Sequence, residues 1–212
     1  LGRSIDGLTE VTVFNGAQHG ICCALTAFCE QGDEICVVEP CFDAYMKLSS
    51  VQGIKCVGVP LRPSVSNPTH ARDFKLNPQE LSDAITEKTK VLVLNTPQTF
   101  LGKTYDREEL NAIADVVRSK HDNLVVLSDE VYEFMTFHED HERFATLPEM
   151  YVVDRNLLTY SPIQIKSNTQ LRYDRTISLF SAGKTFSTTG WRVGYSIAPP
   201  HLSKPLADAT AL

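Results

Sequence analysis

The chain has 212 residues, of which 42% are hydrophobic and 22% are charged, and its formal net charge is −6. This length can bury one large core or two small ones. The acidic balance provides no basic surface for nucleic acid, and no apolar run approaches the roughly 20 residues that cross a bilayer. The sequence begins at Leu1 rather than at Met, so we expect the natural start, with any targeting segment, to be missing.

The cysteines lie within the first 56 residues, mostly among aliphatic side chains. No Cys-x-x-Cys pair occurs, which argues against a zinc site. A free thiol in apolar surroundings behaves as a small hydrophobic residue. We therefore predict buried, reduced cysteines, no metal, and a reducing compartment such as the cytoplasm, with the mitochondrion as the alternative.

Short apolar runs alternate with amphipathic stretches along the chain. The predicted strands cover residues 10–14, 35–38, 54–59, 90–94, 124–127, 176–180 and 191–198. The predicted helices cover residues 18–29, 42–51, 77–86 and 106–120. Asn77 and Asp106 are expected helix caps, with Glu80 and Glu109 reaching back to them. Three prolines in residues 60–75 predict a surface loop.

Strands that alternate with helices imply an α/β fold, with a mostly parallel sheet covered on both faces. Ligands in such sheets gather at the carboxyl ends of the strands. The corresponding positions carry small residues, amides, acids and a lysine, and lie at residues 15–17, 39–40, 95–97, 129–130 and 181–184. This set suits an anionic, nitrogen-heterocyclic cofactor that bonds covalently to an amine.

Lys184 follows a predicted strand and a turn of small residues. A lysine held near apolar surface and other cations loses proton affinity and becomes a nucleophile toward an aldehyde. A solvated surface lysine is the ordinary alternative. Gly183-Lys184-Thr185 also looks like the end of a phosphate-binding P-loop, but that motif needs glycine where Ser178 stands. We therefore disfavour nucleotide hydrolysis.

Two consecutive motifs carry a family resemblance: Ser-Ala-Gly-Lys-Thr-Phe-Ser at residues 181–187 and Thr-Gly-Trp-Arg-Val-Gly-Tyr at residues 189–195. Together they resemble the lysine segment of fold-type-I, class I and II pyridoxal-phosphate aminotransferases. The similarity is greatest to the branch of kynurenine aminotransferases, glutamine transaminase K and cysteine-conjugate β-lyase. Further matching stretches lie in order at residues 32–34, 39–45, 92–97, 101–103 and 128–132.

The resemblance implies roles for residues at the expected site. Lys184 would form the imine with pyridoxal 5′-phosphate and then move the proton between the substrate α-carbon and the cofactor. Asp129 would pair with the pyridine nitrogen and keep it protonated. Tyr132 would lie near the phenolic oxygen, and Phe42 would stack on the ring. The ordinary alternatives are a helix-capping acid for Asp129, a half-buried tyrosine and a core aromatic.

The resemblance also implies a phosphate site. Ser181 and Arg192 would hold the phosphate, the arginine through charge-assisted hydrogen bonds. Gly16, Ala17 and Gln18 would add donors at the start of a helix, where the dipole favours an anion.

The sequence departs from the family pattern at residues 98–100. The family has Asn-Asn-Pro there, and this chain has Gln98-Thr99-Phe100. The second Asn donates to the phenolic oxygen of the cofactor, whereas Thr99 offers a shorter hydroxyl. One charge-assisted hydrogen bond contributes roughly 1.5–3 kcal/mol. We therefore predict weaker cofactor binding and a shifted imine pKa.

A second departure is a polar stretch of about twenty residues at 152–173, where the family passes almost directly from one motif to the next. It is either a surface insertion or translated intron. We otherwise expect residues 1–212 to be the cofactor-binding large domain, a three-layer α/β sandwich in which residues 191–198 form an antiparallel strand. The family's N-terminal arm and small C-terminal domain are expected to be missing.

The implied function is transamination between an amino acid (kynurenine, glutamine or an aromatic) and a 2-oxo acid, in a homodimer with no membrane partner. A β-lyase side reaction is expected for substrates that carry a leaving group. Because the family's substrate-binding arginine lies in its small domain, we expect little turnover from this chain alone. The alternative is a catalytically silent relative, which the changed residues 98–100 and the extra stretch favour.

Overall fold

The computed structural model describes residues 4–137, 141–146 and 174–211, so the expected insertion at 152–173 lies outside the described residues. The strands are β1 (Val11–Asn15), β2 (Glu34–Glu39), β3 (Lys55–Pro60), β4 (Arg62–Pro63), β5 (Phe74–Lys75), β6 (Thr89–Asn95), β7 (Val125–Asp129), β8 (Thr176–Ser181) and β9 (Val193–Ile197). The α-helices are α1 (Ala17–Phe28), α2 (Asp43–Val51), α3 (Pro78–Ala84), α4 (Arg107–Ser119), α5 (Ala182–Thr185) and α6 (Pro200–Ala209).

Seven strands form one mixed sheet in the order β1-β9-β8-β7-β6-β2-β3. The strand pairs β2–β3, β2–β6, β6–β7 and β7–β8 are parallel. β9 runs antiparallel to both of its neighbours, β8 and β1. The predicted α/β fold and the predicted antiparallel strand are both confirmed.

Alternating side chains of the central strands feed two separate hydrophobic clusters, one on each face of the sheet. In β2, Cys36 and Val38 join the cluster that contains the apolar faces of α3 and α4. Ile35 and Val37 join the cluster that contains residues of α1, α2 and α6. This period of two follows from strand geometry, and it produces the three layers.

Both predicted helix caps, Asn77 and Asp106, are present, but only one of the two glutamates reaches back to its cap. Asp106 and Glu109 form the predicted capping box of α4. Asn77 accepts from the backbone N–H of Gln79 at the start of α3, but the Glu80 side chain pairs with Arg62 instead of reaching back.

Other elements were not expected from the sequence. The loop expected at residues 60–75 contains the short antiparallel pair β4 and β5. Helix α6 was not predicted: Pro205 lies inside it, and proline within a helical pattern argues against a helix.

The six cysteines are free thiols, of which Cys23 and Cys36 are buried and the others are partly exposed. Burial raises the pKa of Cys36 to about 12, so this thiol stays protonated. Within the described parts of the chain, no three His, Cys, Asp or Glu side chains group as metal ligands would. No helix in those same parts has the length and apolar character needed to span a membrane.

Candidate active site

A cavity of about 220 Å³ lies at the carboxyl ends of the strands, beside the start of α1. Its lining includes every residue to which the sequence analysis assigned a role toward the cofactor: Gly16, Ala17, Gln18, Phe42, Thr99, Asp129, Tyr132, Ser181, Lys184 and Arg192. The structure thus brings together residues from widely separated parts of the chain, while their individual roles remain predictions.

The lining also contains residues to which the sequence analysis assigned no role: Ile21, Val131, Gly183, Thr189 and Val193. All but Ile21 lie within the motifs and matching stretches that carry the family resemblance, so their neighbours in sequence could have indicated them. Ile21 is aliphatic and carries no chemical signal that separates it from core residues.

Strand register explains why these residues meet. Asn15 pairs with Val193, which places the preceding Arg192 beside Gly16. Further across the sheet, Asp129 is paired with Leu179. The side chains that follow the other strands therefore lie on the same edge of the sheet as Arg192, which precedes the antiparallel strand β9.

One end of the site, which we call the anion corner, consists of Gly16, Ala17, Arg192 and Gly194. Gly16 has a φ of +81°, and a Cβ there would lie 2.5 Å from Arg192 Nη2. A Cβ on Gly194 would lie 2.5 Å from the backbone nitrogen of Ala17. Both glycines thus permit close approach to the first turn of α1, where N–H groups lack intrahelical acceptors and favour an anion.

A second group, which we call the carboxylate network, consists of Tyr45, Asn95, Thr99 and Asp129. The Tyr45 hydroxyl donates to Asp129 Oδ2 at 2.5 Å. Asn95 Nδ2 donates to the backbone oxygen of Asp129 at 3.0 Å. Asn95 Oδ1 accepts from both the backbone N–H and the hydroxyl of Thr99, each at 2.8 Å.

Burial dominates the electrostatics of this network. It raises the pKa of Asp129 to about 6, although the hydrogen bond from Tyr45 opposes that rise. Burial and the adjacent Asp129 charge hold the pKa of Tyr45 well above its usual range. Burial therefore destabilises the ionised Asp129 carboxylate, and a cationic N–H donor in the cavity would stabilise it.

The loop after β6 is held by side-chain hydrogen bonds. Gln98 Oε1 accepts from the backbone N–H groups of Phe100, at 2.9 Å, and Leu101, at 2.6 Å. Its Nε2 donates to the backbone oxygen of Pro40. The turn is therefore organised without the proline expected at position 100, and the Phe100 side chain is 61% exposed.

Lys184 is half-buried on the short helix α5, directly after β8. Its Nζ lies 5.6 Å from the centroid of the Tyr132 ring. Asp129 and Phe42 line the same cavity. The cavity therefore combines an amine, a buried carboxylate, aromatic rings and an anion-binding corner, which fit an aldehyde cofactor that bears a phosphate and a ring nitrogen.

Fold and cavity define an α/β protein with a site for a phosphorylated cofactor that reacts with an amine. Residues 5–211 match the family model described as aminotransferase class I and II, and the chain belongs to this family. Pyridoxal 5′-phosphate is the family's cofactor.

Individual relatives agree with this membership. The kynurenine–oxoglutarate transaminase of Dictyostelium discoideum is 38% identical over 215 residues, which cover 98% of this chain and 44% of that protein. Human kynurenine–oxoglutarate transaminase 1 is 36% identical over 210 residues, with 97% and 44% covered. The solved N-succinyldiaminopimelate aminotransferase of Mycobacterium tuberculosis has a TM-score of 0.79 and 31% identity, with 99% of this chain and 47% of that chain covered. The chain spans less than half the length of each relative.

Proposed function

We propose that this chain is the pyridoxal-phosphate-binding large domain of an enzyme that transfers an amino group from an amino acid to a 2-oxo acid. The observation that carries the proposal is the shared cavity of Lys184, Asp129 and Arg192. When bound, the cofactor supplies an electron-accepting ring for the pair left on the substrate α-carbon after deprotonation. The activity is proposed for the whole protein that contains this chain.

Four residues of the chain would bind the cofactor and move the proton. Lys184 would hold the cofactor through its Nζ, and the same amine would take up and deliver the proton of the substrate α-carbon. Asp129 would keep a proton on the ring nitrogen. Tyr132 would donate toward the phenolic oxygen, and Phe42 would pack against the ring.

The phosphate is assigned to the anion corner, with Ser181 and Gln18 as further donors. Arg192 contributes a charge-assisted hydrogen bond. The first turn of α1 contributes backbone N–H groups.

The proposed donors are kynurenine, glutamine or an aromatic amino acid, as the names of the similar transaminases suggest for kynurenine. A β-lyase side reaction follows for substrates that bear a leaving group. The proposed assembly is a homodimer, and the exposed aromatic side chains of Phe186 and Trp191 support a partner surface near the site.

The test adds pyridoxal phosphate to the purified protein and records the absorbance spectrum, followed by borohydride reduction and peptide mass mapping. We expect a yellow species and a reduced adduct on Lys184. Lys184→Ala should lose the adduct, and Lys204→Ala, at an exposed ion pair, should keep it. An adduct scattered over surface lysines would contradict the assignment, and phosphate release from ATP would favour the P-loop alternative.

The donor and the reaction are tested on the full-length protein loaded with cofactor. Each candidate amino acid is added with 2-oxoglutarate, and the oxo-acid product is measured by mass spectrometry. At least one of kynurenine, glutamine and phenylalanine is expected to give its oxo acid. Failure of all three would contradict the proposed donor class, while a Lys184 adduct would still support the cofactor assignment.

A further inference from the structure

Tyr45 is a buried tyrosine that lies outside the cavity lining and outside the residues selected from the sequence. Its side chain is 1% exposed. It lies in the first turn of α2, and its ring contacts that of Phe42 edge to face, with centroids 5.8 Å apart. Its hydroxyl donates to Asp129 Oδ2 at 2.5 Å, across 84 residues of sequence.

The two carboxylate oxygens of Asp129 have different partners. Oδ2 accepts the short hydrogen bond from Tyr45. Oδ1 accepts a long one, 3.4 Å, from the backbone N–H of Val131. A carboxylate oxygen can accept about two hydrogen bonds. Because its existing hydrogen bond is long and weak, Oδ1 is the more available acceptor for a donor in the cavity, which Asp129 lines.

We infer that Tyr45 is a positioning residue: by holding Asp129 Oδ2, it directs Oδ1 toward the ring N–H of the cofactor. This inference rests on the proposed function, because it requires the pyridine ring to bind next to Asp129. Tyr45 lies outside the cavity lining, and it acts through the orientation and ionisation of Asp129.

The chemistry of the pair supports this role. A tyrosine hydroxyl has one proton to donate, and burial keeps the Tyr45 proton in place by raising its pKa. Without that donor, the carboxylate loses its shortest hydrogen bond and becomes freer to rotate, since the terminal carboxylate torsion has broad minima. A hydrogen bond to a charged group is strong enough for its loss to be measurable.

Tyr45→Phe removes the hydroxyl and keeps the ring against Phe42. Tyr105→Phe is the matched control, because Tyr105 is equally buried and its hydroxyl has no hydrogen-bond partner in the described structure. Asp129→Asn, alone and combined with Tyr45→Phe, completes a double-mutant cycle.

The experiment measures the dissociation constants of two probes, pyridoxal phosphate and its 1-deaza analogue, in which carbon replaces the ring nitrogen. Tyr45→Phe should bind pyridoxal phosphate about tenfold more weakly and the analogue as the parent does. Tyr105→Phe should match the parent with both probes. In the Asp129→Asn background, Tyr45→Phe should have no further effect.

Equal weakening for both probes would show a purely structural role and overturn the inference. No weakening for either probe, in a parent that forms the Lys184 adduct, would overturn it while leaving the proposed function intact. A parent that forms no Lys184 adduct with pyridoxal phosphate would overturn the proposed function and this inference together.

Discussion

The anion corner and the carboxylate network serve the same cavity but are built differently. The corner depends on backbone geometry, since Gly16 and Gly194 leave room that any side chain would fill. The network depends on side-chain hydrogen bonds among Tyr45, Asn95, Thr99 and Asp129. The corner can therefore accept very little substitution, whereas the network can exchange one hydrogen-bonding residue for another.

This difference explains where the chain departs from its family. The changed residues, Gln98-Thr99-Phe100, lie in and beside the network. There, Thr99 still reaches Asn95 and Gln98 still closes the turn. In the corner, the motif residues Gly16 and Arg192 are both as the resemblance implies. Four predictions test whether the contrast holds.

Gly16→Ala should have the largest effect. The new Cβ would lie 2.5 Å from Arg192 Nη2, and alanine would have to adopt a φ of +81°. Positive φ alone costs about 1–2 kcal/mol for a residue with a side chain, and displacing the guanidinium would remove the proposed phosphate ligand. We expect pyridoxal-phosphate affinity to fall at least about 100-fold, as measured by absorbance titration.

Gly32→Ala is the control for backbone strain. Gly32 has a φ of +95° but has open space where the Cβ would be built. It should lose stability in thermal unfolding while keeping cofactor affinity. If Gly16→Ala behaved like Gly32→Ala, the corner would be no more demanding than an ordinary turn.

Asp129→Asn should alter the pH dependence of stability in the cofactor-free protein. The folded-state pKa of Asp129, about 6, lies above the ordinary value of 3.8. The folded state therefore binds more protons between these values, and its stability falls as pH rises from about 4 to 6. This contribution, about 3 kcal/mol, should be absent from Asp129→Asn, whose amide oxygen can still accept from Tyr45.

Denaturant unfolding of both proteins from pH 4 to pH 7.5 measures this difference. The free energy of unfolding of Asp129→Asn, relative to that of the parent, should rise from pH 4 to pH 6 and stay at the higher value above pH 6. Because other acids titrate in both proteins, the difference between the two curves isolates Asp129. A difference that stays constant with pH would show that burial of Asp129 imposes no such cost.

The corner could be predicted from sequence, as could Thr99 and Asp129 of the network, but the contact between Tyr45 and Asp129 could not. Gly16 and Arg192 lie in motifs at strand ends, and the register of β1 with β9 brings them together. Tyr45 pairs with Asp129 across 84 residues, and in an apolar helix face it looks like a core aromatic. No local pattern records such a contact, because it depends on how α2 packs against the sheet.

The helix-capping signals were likewise sufficient in one helix and insufficient in another. The capping box of α4 was predicted and is present. The Glu80 side chain, expected to cap α3, instead meets Arg62. Whether Glu80 caps α3 or pairs with Arg62 depends on both partners, and Arg62 lies outside the helix, on β4.

Arg192→Gln should have an intermediate effect confined to the phosphate. Loss of a charge-assisted hydrogen bond costs roughly 1.5–3 kcal/mol, so pyridoxal-phosphate affinity should fall about tenfold to 100-fold. Pyridoxal, which lacks the phosphate, should bind the variant and the parent equally. Arg62→Gln, at an exposed ion pair, is the control. Equal losses for both ligands would place Arg192 outside the phosphate site.

Thr99→Asn should have the smallest effect on cofactor affinity, and it should raise the affinity rather than lower it. The Thr99 hydroxyl has one proton, which it donates to Asn95 Oδ1 at 2.8 Å, so none remains for the phenolic oxygen of the cofactor. A carboxamide has two N–H donors and could serve both acceptors. We expect pyridoxal phosphate to bind up to about tenfold more tightly, with a lower pKa for the yellow species in a pH titration.

Thr99→Ser is the matched control, because serine keeps the hydroxyl bond to Asn95 and adds no donor. It should bind as the parent does. An unchanged affinity and spectrum in Thr99→Asn would mean that the cofactor does not draw on this position. The network would then be a framework for Asp129 alone, and the family's asparagine would have been replaced here without consequence for binding.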